Sequence, residues 1–128
     1  MIVSAQSSGN QSTNSGSWTP NPGLAINLPR GVGEQALLIL NVSNLYAQGN
    51  SNPGGNFGLQ VNGAVQSAFA SFTYNEQNPP STGRVPTTLC AVAPLSQTGP
   101  VAVVAVWSGV RGATVRIDSP ATLTAIID

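Results

Sequence analysis

The chain contains no lysine and no histidine, and only 6% of its 128 residues are charged, against about 25% in ordinary globular domains. Without histidine there is no Ser-His-Asp or Cys-His catalysis and no histidine metal ligand. Without lysine, Schiff-base and Ser-Lys chemistry are excluded. The four cations are all arginine (Arg30, Arg84, Arg111, Arg116) and balance four acids (Glu34, Glu76, Asp118, Asp128), so net charge is zero. Four scattered arginines give no basic footprint for nucleic acid or anionic lipid. Four dispersed acids cannot readily supply the six to eight oxygens of a calcium site. No apolar run reaches the length of a membrane helix, so membrane insertion is not expected. A surface this short of charge depends on Asn, Gln, Ser and Thr for solubility and resists self-association weakly.

The single cysteine, Cys90, lies in the apolar run Thr88-Leu89-Cys90-Ala91-Val92. Such a residue reads as a buried small hydrophobe rather than a reactive thiol. One cysteine closes no intrachain disulfide, so an oxidising compartment is neither required nor excluded. Met1-Ile2-Val3-Ser4 lacks the basic start and long apolar core of a signal peptide, which leaves localisation open.

What the chain does have is punctuation: 14 glycines and 10 prolines cut it into short pieces with almost no helical periodicity. One domain over residues 1–128 is expected, with residues 1–23 as a strand followed by a polar arm and loop. Strands are expected at 2–6, 24–28, 36–42, 57–61, 64–74, 85–93, 101–107, 113–117 and 121–127. Residues 36–42 (ALLILNV) read as a central strand buried on both faces, and residues 44–56 as a long loop. Asn62-Gly63 is the most specific two-residue hairpin signal in the chain. Trp18, the only large side chain of the arm, reads as a cap on a hydrophobic edge. Eight to ten strands with turns every eight to twelve residues mean an all-β sandwich or barrel. Strands this apolar in so uncharged a chain suggest that one sheet surface is covered by another subunit.

The stretch Phe72-Thr73-Tyr74-Asn75-Glu76-Gln77-Asn78-Pro79-Pro80-Ser81-Thr82-Gly83-Arg84 concentrates directional groups around one proline-stiffened turn. Arg111 lies in a second loop, Ser108-Gly109-Val110-Arg111-Gly112. A neutral sugar needs matched donors and acceptors for its hydroxyls and an aromatic face for its C–H surface. Arginine offers a planar fork of five donors, Ser and Thr hydroxyls donate or accept, and Tyr46 and Tyr74 combine an apolar face with a polar tip. Asp118 is a candidate structural partner for Arg111 or Arg116. Glu76 and Asp118 as a glycosidase pair are disfavoured, since both sit in turns or polar loops, and no enzymatic activity is expected.

Several segments stand together in order: Leu38-Ile39-Leu40-Asn41-Val42, Tyr46-Ala47, Phe72-Thr73-Tyr74, Ser81-Thr82-Gly83-Arg84, Trp107-Ser108-Gly109-Val110-Arg111-Gly112 and Ile117-Asp118-Ser119. Over residues 36–127 they resemble the tumour-necrosis-factor-like, fucose-binding N-terminal lectin domain of the Burkholderia superlectin family. The resemblance implies a TNF-like jelly-roll β-sandwich, a homotrimer, and calcium-independent, cofactor-free binding of fucosylated, blood-group-type glycans in cell adhesion. It places Tyr46, Ser81, Thr82 and Arg84 in the sugar site from one protomer, and Thr73, Tyr74 and Arg111 from its neighbour. Asn56 stands where the family has a tyrosine, which exchanges an aromatic wall for a hydrogen-bonding amide. The resemblance also implies synthesis in a bacterial cytoplasm with release to the surface or exterior. The competing expectation is a structural or protein-binding TNF/C1q-like trimeric jelly roll without sugar binding.

Overall fold

A computed structural model describes residues 1–79 and 82–128. It contains twelve strands: β1 (Ile2–Gln6), β2 (Gln11–Thr13), β3 (Thr19–Leu28), β4 (Gln35–Val42), β5 (Leu45–Gln48), β6 (Gly54–Val61), β7 (Ala64–Val65), β8 (Ala70–Thr73), β9 (Thr87–Pro94), β10 (Val101–Val110), β11 (Thr114–Ile117) and β12 (Thr122–Ile127). They form a four-stranded sheet ordered β1-β12-β4-β9, a five-stranded sheet ordered β3-β10-β6-β7 with β8 also on β6, and a three-stranded sheet ordered β2-β11-β5. Every strand pair is antiparallel. The architecture is an all-β sandwich, as its alternating apolar segments require.

The inner faces of the sheets build one core. Leu38 and Leu40 of β4 and Leu123 of β12 meet Leu24 and Leu28 of β3, Phe57 and Leu59 of β6, and Val103 and Trp107 of β10. Leu45 and Ala47 of β5 and Val115 and Ile117 of β11 extend it under the small sheet. Trp107 and Phe57 are its largest fully buried side chains, with ring centroids 5.9 Å apart.

The turns follow their residues. Asn62 and Gly63 both take positive φ, 47° and 84°, as a two-residue hairpin turn of the primed type requires. The Asn62 side chain accepts a hydrogen bond from the Ala102 amide at 2.8 Å. Arg111 and Gly112 repeat this geometry at the β10–β11 connection, with φ of 53° and 74°, closed by the Ala113 amide donating to the Val110 carbonyl at 3.1 Å.

Four expectations are corrected. β4 is central but not buried on both faces: Ala36, Leu38, Leu40 and Val42 are buried, while Leu37 is 38% exposed. Cys90 is exposed, because it points the same way as Ile39, its partner on β4, out of the sheet. The arm is not structureless, since it contributes β2 and the first half of β3. Residues 44–56 likewise hold β5 and the start of β6. Trp18 does cap an edge, packing over Gly58 and edge-to-face on Phe69 at 5.6 Å.

Register gives the outer face of the four-stranded sheet a distinct stripe. Ile2 pairs with Ile126, Ile126 with Leu37, and Leu37 with Val92, so four apolar side chains line up across all four strands. They are 70%, 43%, 38% and 62% exposed.

Candidate functional site

At one end of the sandwich, β5, the segment after β8 and the β11–β12 connection converge. Tyr46 sits in β5, paired with Arg116 of β11. Strand alternation buries Leu45 and Ala47 and turns Tyr46 to the surface. The Arg84 guanidinium lies over the Tyr46 ring, its carbon 3.8 Å from the centroid, within cation–π range.

Arg84 is fixed from three sides. Its Nε donates to Asn44 Oδ1 at 2.9 Å, its Nη1 to the Thr82 carbonyl at 3.2 Å, and its Nη2 to Asp118 Oδ2, with which it forms an ion pair. Asn44 is in turn held by donating to Ser119 Oγ at 2.9 Å. The Val85 amide donates to the Leu45 carbonyl at 2.9 Å, which ties the Arg84 segment to β5. The partner of Asp118 is therefore Arg84, not Arg111 or Arg116 as expected. Three N–H groups out of five are occupied, and the other two make no hydrogen bond among the described residues.

Tyr74 closes the same cluster. Its hydroxyl donates to the Gly83 carbonyl at 2.7 Å, its amide donates to the Pro53 carbonyl at 2.9 Å, and its ring meets Phe72 edge-on at 5.9 Å. Burial pushes the phenol above its ordinary value of 10.0, outweighing the lowering pull of the Ala47 backbone and the Arg84 charge. Tyr74 therefore stays a neutral donor throughout the physiological range.

A second group stands beside the first. Arg111 donates through Nε to the carbonyls of Ser51 (2.8 Å) and Asn52 (3.1 Å), and through Nη2 to Asn52 again. Asn52 donates its side-chain amide to the Tyr74 carbonyl at 3.3 Å, and Thr73 is exposed opposite Gly54. The segment 51–54 thus links Arg111, Thr73 and Tyr74. Of the expected site residues, Tyr46, Tyr74, Thr82 and Arg84 come together directly. Arg111 and Thr73 adjoin them without a hydrogen bond to Tyr46, Thr82 or Arg84 among the described residues. Asn56 lies apart on β6, accepting from Ser71 Oγ at 2.7 Å and donating to Ser108 Oγ at 3.2 Å. Ser81 lies outside the described residues.

Sequence reasoning missed the supporting residues. Asn44 and Asp118 orient Arg84, and the Gly83 carbonyl receives Tyr74. The sequence reading offers Arg116 only as a structural partner for Asp118, although Thr114, Arg116 and Asp118 alternate outward against buried Val115 and Ile117. That alternation was the available signal.

Chemically, the cluster offers two aromatic rings and a held guanidinium with spare donors. It contains no histidine, and its one carboxylate is engaged by Arg84. This suits binding of an uncharged, hydroxyl-bearing ligand. The fold is an all-β sandwich, and the family it matches suggests a domain of the lectin type. A family described as "Bc2l-C, N-terminal domain" matches residues 7–126, and the chain belongs to it. A comparison with curated proteins finds no match.

Among solved structures, dimeric latent PorU from Porphyromonas gingivalis is similar at 16% identity and a TM-score of 0.47, over 95% of this chain and 13% of that one. A Paenibacillus cycloisomaltooligosaccharide glucanotransferase, complexed with cycloisomaltoheptaose, matches 96% of this chain and 17% of its own at 17% identity and a TM-score of 0.34. The enzymatically active domain of bacteriophage CBA120 tailspike protein 4 matches 98% and 19% at 10% identity and a TM-score of 0.30. The chain spans less than a fifth of each of these three.

Proposed function

We propose that this domain is a calcium-independent lectin for fucose and fucosylated oligosaccharides, assembled as a homotrimer whose sugar sites lie where two protomers meet. The observation that carries the reading is the Arg84 guanidinium held over Tyr46, its carbon 3.8 Å from the ring centroid, with two N–H groups that make no hydrogen bond among the described residues. Adjacent sugar hydroxyls accept from such a fork, and the tyrosine rings take the C–H face and the methyl group of a deoxy sugar. That methyl adds about 0.8 kcal/mol when covered. Membership of the family supports the assignment. Calcium independence is supported by the scarcity of free carboxylates: among the described residues no three His, Cys, Asp or Glu side chains cluster.

The apolar stripe Ile2–Ile126–Leu37–Val92 supports self-association, since it is a continuous hydrophobic surface on an almost uncharged domain. Trimerisation also answers the weakness of single sugar sites, whose Kd is expected in the micromolar to millimolar range. Three such sites on one rigid body gain about a hundredfold in avidity on a glycan-dense surface.

Titration calorimetry with methyl fucoside tests the function. The expected result is saturation at one sugar per protomer, unchanged by EDTA. Absence of saturation at tens of millimolar sugar refutes it.

A further inference from the structure

The small sheet β2-β11-β5 presents an outward row that shares Tyr46 with the fucose cleft and extends beyond it. Register places Ser12, Arg116 and Tyr46 side by side across its three strands. Asp118 and Asn10 flank this row, and the five residues line an open hollow of about 300 Å³. That size lies at the lower end of small-ligand pockets. Tyr46 and Asp118 belong to both places: they hold Arg84 on one side and line the hollow on the other. The hollow is therefore continuous with the proposed cleft.

Arg116 differs from the other two arginines of this end. Arg84 has an acid partner and Arg111 donates to two backbone carbonyls through Nε and Nη2, whereas Arg116 donates only its Nε, to Gln48 Oε1 at 2.7 Å. Among the described residues its two Nη groups make no hydrogen bond. Gln48 thus orients the guanidinium and leaves its terminal fork unspent. Facing it are a hydroxyl (Ser12), an amide (Asn10) and a carboxylate (Asp118). Such a mixture of donors and acceptors matches neighbouring hydroxyls of a neutral sugar.

We propose that this hollow is a second subsite, in which Arg116 receives the neutral hexose joined to the fucose held at Tyr46 and Arg84. The inference deepens the lectin reading and rests on it.

The test is calorimetric titration of methyl fucoside and of a neutral fucosyl-hexose disaccharide, into the protein and its Arg116→Met variant. The parent should prefer the disaccharide by about tenfold, the worth of one good guanidinium contact. Arg116→Met should keep the methyl fucoside Kd within about twofold and shrink the preference to about twofold or less. Arg116 is exposed, so the variant should fold. Asn10→Ala, also at an exposed position, should give a smaller loss of preference in the same direction. The inference is overturned if both variants keep the full preference, or if the parent binds methyl fucoside and shows no preference. If methyl fucoside binds to neither parent nor variants, the lectin reading itself fails, and the subsite with it.

Discussion

Replacing Val92 by aspartate should break the proposed trimer and spare the protomer. Val92 is 62% exposed and ends the cross-strand stripe of Ile2, Ile126 and Leu37, which are 70%, 43% and 38% exposed. Together these fractions amount to roughly two fully exposed aliphatic side chains, worth about 3–6 kcal/mol per protomer if covered. Over three protomers that is about 10–20 kcal/mol, enough to compete with association costs of about 4–15 kcal/mol per step. An aspartate at position 92 removes about 1–2 kcal/mol of that burial. It also places in the interface a carboxylate whose desolvation costs several kcal/mol, three times over. Trimers should therefore give way to monomers at micromolar concentration. Within the protomer the position is solvent-facing, so thermal stability should change by about 1 kcal/mol or less. Sedimentation velocity reads the mass. Alkylation of Cys90, which faces outward on the same sheet, reads the surface: slow in the parent, fast in Val92→Asp. A variant that sediments as a trimer, or a parent that is already monomeric, refutes the reasoning.

Three further outcomes are expected. Arg84→Ala should weaken methyl fucoside binding by tenfold or more in calorimetry. Its melting temperature should barely move, since an exposed ion pair contributes about 0–1 kcal/mol. Fucose binding followed from pH 5 upward should be flat to about pH 9, because no histidine is present. Tyr74 has a folded value raised by burial, so its contribution to stability is complete below pH 10 and is lost as pH climbs through that raised value. A step in binding near pH 6.5 contradicts the site as drawn. In Gly54→Ala the new Cβ would run into the Phe72 carbonyl oxygen and crowd Thr73. That should displace β8, cost about 1–3 kcal/mol and weaken sugar binding through Tyr74, and an unchanged melting temperature argues against the β6–β8 register.

The sequence discloses some elements more readily than others, for physical reasons. Val101–Trp107 and Asn62-Gly63 are legible because alternation and left-handed turn residues are local signals. The first half of β3 is hidden by Pro20 and Pro22, which argue against a strand. They are tolerated because β3 is an edge strand beside β10, where a missing N–H costs little. β5 is only four residues long inside an Asn- and Gly-rich stretch, too short to show a period. Leu37, Cys90 and Val92 mislead for another reason: an apolar residue facing solvent in the protomer reads as a core residue. At the site, residue types are legible in the sequence, and the Tyr74 hydroxyl does reach the Gly83 carbonyl, next in the chain to Arg84. Which acid would hold which arginine was not, since Asp118 reaches Arg84 only through folding that brings positions 34 apart together.

The claim that two protomers share each sugar site is tested most directly by complementation. Arg84→Ala and Arg111→Ala chains, each unable to bind methyl fucoside alone, are co-expressed and purified as mixed trimers. In a cyclic trimer that holds both chains, one junction of the three, about a third, then joins an intact Arg84 to a neighbour's intact Arg111. Recovery of about that fraction of binding sites is the predicted result; mixed trimers that bind no sugar would contradict the shared cleft.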